Sequence, residues 1–176
     1  MVAGSDAELA QLVARDPSGA YGIRGGDLHR SLGAPPPRET TQQLPLDALR
    51  VRCDDVEWLA VAHVVVRDSW WRGPLLAVLN CAYVGHWNVS PRAHPNDGRF
   101  DVVEVTADMS VRQRLQARRR LPLGAHVPHP NITARTAESQ TWSFGAPRHV
   151  FVDGLGLGRV VRLTIEISPD HFSIHI

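Results

Sequence analysis

The chain has 176 residues, of which 43% are apolar, and a formal net charge of +1 at pH 7. This length suits one domain with a sizeable core, and the small net charge gives no bulk electrostatic reason to expect a nucleic-acid partner. The sequence contains no lysine, which excludes a Schiff-base lysine and a P-loop lysine.

The cysteines and the N-terminus indicate the cellular compartment of the protein. Cys53 and Cys81 lie in apolar stretches without a CxxC spacing, which favours buried free thiols over a zinc site or a disulfide framework. The N-terminus lacks a basic region followed by an apolar stretch, and no apolar run approaches the ~20 residues of a membrane span. We therefore expect a cytoplasmic protein.

Two short helices are predicted near the N-terminus. Residues 5–15 place apolar side chains on one face, and Ser5 or Asp6 can cap this helix. Asp27 can cap a second helix over residues 28–32. A stretch with three consecutive prolines follows and is predicted to be a linker.

Short strands separated by turn residues are predicted after the linker. They cover residues 49–53, 58–66, 75–84, 100–105, 131–137, 141–144, 149–153, 160–168 and 172–176. Only one further helix is indicated, over residues 110–120, with Ser110 as its cap. This pattern predicts a mainly β fold, an antiparallel β-sandwich with a short α-containing N-terminal part that packs on it or pairs with a partner.

The segment HVFVDGLGLGR, residues 149–159, permits two interpretations. A dinucleotide-binding loop needs the spacing GxGxxG between a strand and a helix, so that the helix N-terminus meets the pyrophosphate. Here the spacing is GxGxG, and the residues that follow alternate as in a strand. A hairpin whose turn presents Asp153 is therefore strongly favoured.

Two further turns could carry acidic chemistry. The turn at Asp97 could hold a hard cation through carboxylate and carbonyl oxygens, although its spacing favours an ordinary Asx turn. The loop Gly25-Gly26-Asp27 could approach a phosphate and hold magnesium, or it could simply begin a capped helix.

Histidines, arginines and tryptophans offer weaker signals. His126 and His129 lie among prolines that forbid a helix, so they are interpreted as turn and surface residues. The five arginines within residues 112–120 could meet phosphates or acidic headgroups, although a solvated helix face is the commoner explanation. Trp70 and Trp71, beside another arginine, form a predicted aromatic and cationic corner suited to an interaction domain.

Several motifs occur in the order found in one known family. From Trp70 onward the chain resembles the C-terminal β-sandwich of the diacylglycerol kinases, bacterial lipid kinases that share a superfamily with NAD kinases and sphingosine kinases. Residues 91–98 resemble its Pro-x-Ala-x-x-Asp-Asp-Gly turn, and residues 124–130 its Gly-x-His-x-x-His-Pro stretch. Residues 152–154 resemble its Val-Asp-Gly-Glu motif, with Leu155 in place of the glutamate.

The N-terminal part is similar to two loops of the family's nucleotide-binding domain. Residues 4–8 stand where the family has Gly-Gly-Asp-Gly-Thr, and residues 24–27 stand where it has Gly-Thr-x-Asn-Asp. The resemblance implies a remnant of the nucleotide-binding domain at residues 1–33, a linker at residues 34–47 and a lipid-kinase-like β-sandwich domain at residues 48–176.

The resemblance also implies roles for individual residues. Asp153 corresponds to a general base that activates the lipid hydroxyl. Asp6, Gly25 and Asp27 correspond to residues that bind the cofactors ATP and Mg²⁺. Asp97 corresponds to the ligand of a structural metal ion.

The implied function is ATP-dependent phosphoryl transfer to a lipid hydroxyl. We expect it to be weakened or lost, because Leu155 cannot supply the missing carboxylate and several loop residues depart from the family's pattern. Two alternatives stay open: an active kinase completed by a homodimer or a partner chain, and a non-enzymatic domain that binds a lipid, a nucleotide or a protein. A lipid ligand would place the cytoplasmic protein at the membrane periphery.

Overall fold

The computed structural model describes residues 1–35 and 42–175. Its helices are α1 (Asp6–Arg15), α2 (Gly26–Ser31) and α3 (Val111–Arg120), and a 3-10 turn at Leu121–Leu123 follows α3. Its strands are β1 (Val2–Ala3), β2 (Gly22–Ile23), β3 (Gln43–Cys53), β4 (Val56–Ala60), β5 (His63–Val66), β6 (Leu75–Leu79), β7 (Tyr83–Val84), β8 (Trp87–Asn88), β9 (Phe100–Val105), β10 (Ile132–Ala137), β11 (Ser139–Val152) and β12 (Leu155–His175).

Eight strands form one antiparallel sheet in the order β10-β9-β6-β5-β11-β12-β3-β4. The long strands β11 and β12 change register at Ser143/Arg148 and at Ser168/Phe172, where the pairing is irregular. The inner faces of β6 and β9 share a core with β3 and β12. The predicted mainly β antiparallel fold is confirmed.

Strands at the centre of the sheet are covered on both faces, which explains their continuous apolar sequences. Alternate residues of a strand point to opposite faces. Val64 and Val66 therefore contact the inner core, whereas Val65 contacts a second core on the opposite face, beside α3.

The predicted strand over residues 58–66 is two strands in the structure. β4 ends at Ala60 and β5 begins at His63. The N–H groups of Val61, Ala62 and His63 all donate to the side chain of Asp153. The sheet pairing is interrupted here because a carboxylate from a distant turn takes the place of a neighbouring strand.

The favoured hairpin at Asp153 is confirmed. Asp153 and Gly154 form a two-residue turn between β11 and β12, with φ of +46° and +85°, as type I′ hairpins require. The turn is shorter than the glycine pattern suggests, because Gly156 and Gly158 lie within β12 beside a register shift.

The N-terminal residues pack on the sheet. β1 and β2 are parallel, and each is followed by a helix. Leu9 and Val13 of α1 share a third core with Phe172 and Ile174 of β12. Ser5 caps α1 by accepting the N–H of Glu8, as predicted.

The predicted linker needs a correction at its C-terminal side. Residues 43–47 belong to β3, and residues 43–46 pair with residues 172–175 at the end of β12. Residues 36–41 of the linker lie outside the described residues, so the remaining boundaries stay predictions.

Candidate functional site

The structure brings together three aspartates that the sequence singled out. Asp6, Asp27 and Asp153 gather around the imidazole of His63. Asp6 and Asp27 follow the parallel strands β1 and β2 at the same edge of their small sheet, and Asp153 reaches them from the β11–β12 turn. These residues are called the carboxylate cluster below.

Asp6 caps the neighbouring helix α2. Its Oδ2 accepts the N–H of Asp27 at 2.6 Å and its Oδ1 accepts the N–H of Leu28 at 3.2 Å. Gly26 has φ of +94°, and a side chain there would collide with the Asp6 carboxylate. The predicted cap by Asp27 is therefore wrong, because α2 already begins at Gly26 and the Asp6 side chain accepts the N–H groups that a cap would accept.

Burial raises the pKa of Asp6 to about 6, and the charges of Asp153 and Asp27 add to the shift. The two backbone N–H groups that it accepts act in the opposite direction. Asp6 is thus a buried carboxyl group that changes charge close to neutral pH.

Asp27 is fixed by two donors. Its Oδ2 lies 2.9 Å from His63 Nε2 and accepts the N–H of Gly85 at 2.8 Å. Burial alone would raise the pKa of Asp27, but these hydrogen bonds outweigh it and hold the pKa below its usual value. Asp27 therefore stays ionised and faces inward.

His63 lies at the centre of the carboxylate cluster. Its side chain is only 6% exposed, and burial alone would lower its pKa. The hydrogen bond to Asp27 and the charges of Asp153, Asp27 and Asp6 outweigh burial and raise the pKa of His63. His63 Nε2 thus supplies a partner for the buried Asp27 carboxylate, whereas the buried Nδ1 has no partner among the described residues.

Asp153 uses both carboxylate oxygens within the fold. Oδ2 accepts the N–H of Val61 at 2.8 Å, and Oδ1 accepts the N–H groups of Ala62 and His63 at 3.0 and 2.9 Å. Burial raises the pKa of Asp153, opposed by the His63 charge and by these three donors.

A cleft of about 630 Å³ opens beside Asp153, between α1 and the outer face of the sheet. Leu155 lines it and is 47% exposed. Cationic and aromatic side chains also line the cleft, among them Arg15, Arg50, Arg52 and Trp58. The cluster thus has access to solvent on the Asp153 side.

Gly25 lies beside the carboxylate cluster as the N-cap residue of α2, whereas Asp97 lies elsewhere. Gly25 packs so closely on the carbonyl oxygen of Gly4 that a side chain would not fit. Asp97 is exposed and accepts the N–H of Arg99 at 3.1 Å, which is the predicted Asx turn. Among the described residues no group of three or more histidine, cysteine, aspartate or glutamate side chains could hold a metal ion. The metal site at Asp97 stays a prediction.

A separate pocket of about 440 Å³ lies between the sheet and α3. Its walls are mostly apolar and aromatic, and include Val65, Val103, Trp70, Trp71 and Trp87. It is called the apolar pocket below.

Two polar residues lie against the apolar pocket. Arg114 is buried and donates to the carbonyl oxygens of Met109, Trp70, Gly73 and Thr106, which fixes α3 over the pocket. His126 is 4% exposed, and neither ring nitrogen has a hydrogen-bond partner of acceptable geometry among the described residues. The interpretation of His126 as a surface residue is wrong, because the chain after α3 turns it inward.

A family model described as the YegS C-terminal NAD kinase beta sandwich-like domain matches residues 46–176. The chain belongs to this family. No curated protein matches the chain. The predicted resemblance to the C-terminal domain of the bacterial lipid kinases is confirmed, and it begins earlier than Trp70.

Solved structures share the fold of this YegS C-terminal family member. Three are structures of proteins from Bacillus anthracis str. Sterne that are described as diacylglycerol kinases, with TM-scores of 0.74, 0.67 and 0.69. They are 14%, 16% and 14% identical to the chain. The alignments cover 98%, 98% and 97% of this chain, and 76%, 74% and 75% of those chains.

His63, the central residue of the carboxylate cluster in this YegS C-terminal family member, was not predicted as a site residue. His63 stands alone as a titratable residue in the apolar stretch LAVAHVVV. An ionisable side chain on a strand with both faces covered needs a charged partner, and this was the signal in the sequence that could have indicated His63.

In the described residues no helix is long and apolar enough to cross a membrane.

Proposed function

We propose that this chain is a lipid-kinase-like protein in which ATP-dependent phosphoryl transfer is weakened or lost. The observation that carries the proposal is the set of three backbone N–H groups held by Asp153. A carboxylate offers about four acceptor positions, and a general base needs one of them within hydrogen-bond reach of the substrate hydroxyl. Asp153 has most of these positions filled by the fold.

The nucleotide side of the cluster supports the same proposal. A helix N-terminus is a common place for a phosphate group, but at α2 the Asp6 carboxylate accepts the N–H groups there. Asp27 is committed to His63 and Gly85. These residues do not fit a magnesium-bound triphosphate, so we derive no reaction step through it.

Leu155 takes the place of a residue that could act as a further acid or base. It lines the cleft beside Asp153 at the position where the lipid-kinase motif has glutamate. Its aliphatic side chain can neither accept a proton nor bind a cation.

Calorimetry tests the nucleotide part. We expect no saturable heat when Mg²⁺-ATP is titrated into the chain up to millimolar concentration. A saturable heat that is present in the wild type and in Asp97→Asn, but absent in Asp27→Asn, would contradict the proposal.

A second function, binding of an acyl chain, is favoured by the apolar pocket. Its volume of about 440 Å³ lies within the usual ~300–1,000 Å³ of small-molecule sites. Burial lowers the pKa of His126, opposed by the nearby Val89 backbone, so the ring is held in its neutral form. A neutral imidazole offers one donor and one acceptor, which suits an apolar ligand with one polar end.

A fluorescent fatty acid, cis-parinaric acid, tests this second function. Ala117→Trp would place a large side chain in the apolar pocket, whereas Ala14→Trp would place it in the cleft beside Asp153. We expect Ala117→Trp to weaken binding at least about ten-fold and Ala14→Trp to leave it unchanged. Equal binding by Ala117→Trp and the wild type would contradict the proposal.

A further inference from the structure

We propose that α3 and the adjoining edge of the apolar pocket dock on an anionic lipid bilayer. The proposal adds a membrane-docking surface to the acyl binding proposed above. It rests on that binding only where it places the mouth of the apolar pocket against lipid. The docking surface consists of α3, the turn at Leu121–Leu123 and Trp71. It is called the α3 face below.

The cations of the α3 face are exposed. Arg112, Arg119 and Arg120 point to solvent, and none forms an ion pair among residues 1–35 and 42–175. α3 carries five arginines and no acidic residue, whereas the whole chain has a net charge of +1. The positive charge is therefore concentrated locally, although the protein as a whole is nearly neutral.

Apolar side chains lie between these cations. Val111 and Leu115 are separated by one helical turn and are 47% and 41% exposed. Leu123, in the turn that follows, is 82% exposed. Cations beside exposed aliphatic groups on one helix are the pattern of a helix that lies in the interface of a bilayer.

The mouth of the apolar pocket opens on the same face. The Arg118 guanidinium lies 5.2 Å from the ring centre of Trp71 and 5.7 Å from that of Trp87. All three residues line the pocket, and Arg118 and Trp71 are exposed as well. An acyl chain that enters the pocket would pass between residues suited to the headgroup level of a membrane.

A bilayer fits this surface better than a polyanion does. A nucleic acid would pair with the arginines and leave Leu123 and Leu115 in water. Anionic headgroups pair with the arginines, and the acyl region takes up the aliphatic side chains. The combination of charge and apolar exposure therefore selects the bilayer.

Co-sedimentation with vesicles tests the proposal. The wild type is expected to bind vesicles of equimolar phosphatidylcholine and phosphatidylglycerol, and to bind pure phosphatidylcholine far more weakly. Each arginine near such a surface contributes about five-fold in affinity. The triple variant Arg112→Gln/Arg119→Gln/Arg120→Gln should therefore bind about a hundred-fold more weakly.

The matched control removes the same charge elsewhere. Arg15→Gln/Arg24→Gln/Arg162→Gln changes three exposed arginines outside the α3 face and should bind like the wild type. Leu123→Ser keeps the charge and should weaken binding about ten-fold. Equal losses in the two triple variants, or unchanged binding by Leu123→Ser, would overturn the proposal.

The experiments distinguish a failure of bilayer docking from a failure of acyl binding. If the α3 triple variant keeps its vesicle binding while Ala117→Trp loses cis-parinaric acid, the docking surface is wrong and acyl binding stands. If the triple variant loses vesicles while fatty acid never binds, docking stands without the pocket.

Discussion

Asp153 and His63 are 90 residues apart in sequence and are joined by two hydrogen bonds. The N–H of His63 donates to Asp153 Oδ1 at 2.9 Å, and the N–H of Asp153 donates to the carbonyl oxygen of His63 at 2.9 Å. The pair fixes the β11–β12 turn to the start of β5. Asp153 therefore has a structural role, whatever chemistry it also performs.

Asp153→Ala should destabilise the chain by about 3 kcal/mol, because it leaves the N–H groups of Val61, Ala62 and His63 without their acceptor. Urea unfolding followed by circular dichroism measures the loss. Asp97→Ala, which removes one exposed acceptor, should stay within about 0.5 kcal/mol of the wild type. Equal stability of the two variants would show that the hydrogen bonds of Asp153 contribute little.

Asp6 should make stability depend on pH. Its pKa is about 6 in the folded chain against 3.8 for the free side chain, so the folded chain binds this proton more tightly. Its contribution is fully present below 3.8 and is lost as the pH rises through about 6. Across this window the wild type should lose about 2 kcal/mol relative to Asp6→Asn.

Unfolding of both proteins across that pH window measures the effect. Asp6→Asn also loses one capping hydrogen bond, but that loss is independent of pH and cancels in the difference. A difference that stays constant with pH would show that Asp6 has an ordinary pKa. The raised pKa of His63 acts in the same direction, since its stabilisation is lost as the pH rises through the folded pKa.

Gly154→Ala should cost about 1 kcal/mol, because φ of +85° is unfavourable for a residue with a side chain. The matched control is Gly145→Ala in β11, where a side chain meets open space and φ is not in the left-handed region. Thermal unfolding compares the two variants. A larger loss in Gly145→Ala would contradict the assignment of the turn.

Arg114→Met should destabilise the chain by about 2–4 kcal/mol, because four backbone carbonyl groups lose their donor. It should also weaken cis-parinaric acid binding, since α3 forms a wall of the apolar pocket. Arg112→Met, on the exposed side of the same helix, is the control and should change neither quantity. If both variants behave alike, Arg114 does not fix α3.

Much of the fold could be predicted from local patterns in the sequence. Ser110 caps α3 as predicted, and strand alternation together with the Asp-Gly pair predicted the β11–β12 hairpin. Long-range contacts could not be predicted from local patterns. The break between β4 and β5 depends on an acceptor about 90 residues away, and no local residue signals it.

The candidate site was predicted in part for the same reason. The resemblance selected Asp6, Asp27 and Asp153, which the structure brings together, but the hydrogen bonds that occupy them are long-range. His63, the first residue of β5, enters the cluster through its contact with Asp27 of α2, which joins residues 36 positions apart. Arg114 and His126 are buried against expectation, because their environment depends on how α3 lies over the sheet.

Transfer of radiolabelled phosphate from Mg²⁺-ATP to diacylglycerol tests the central claim most directly. The proposal predicts that the wild type forms no more labelled phosphatidic acid than Asp153→Asn, with Asp97→Asn as a folded control. Product formed at the ~1–10³ s⁻¹ typical of enzymes by the wild type and by Asp97→Asn, and lost in Asp153→Asn, would contradict it and show an active kinase that depends on Asp153.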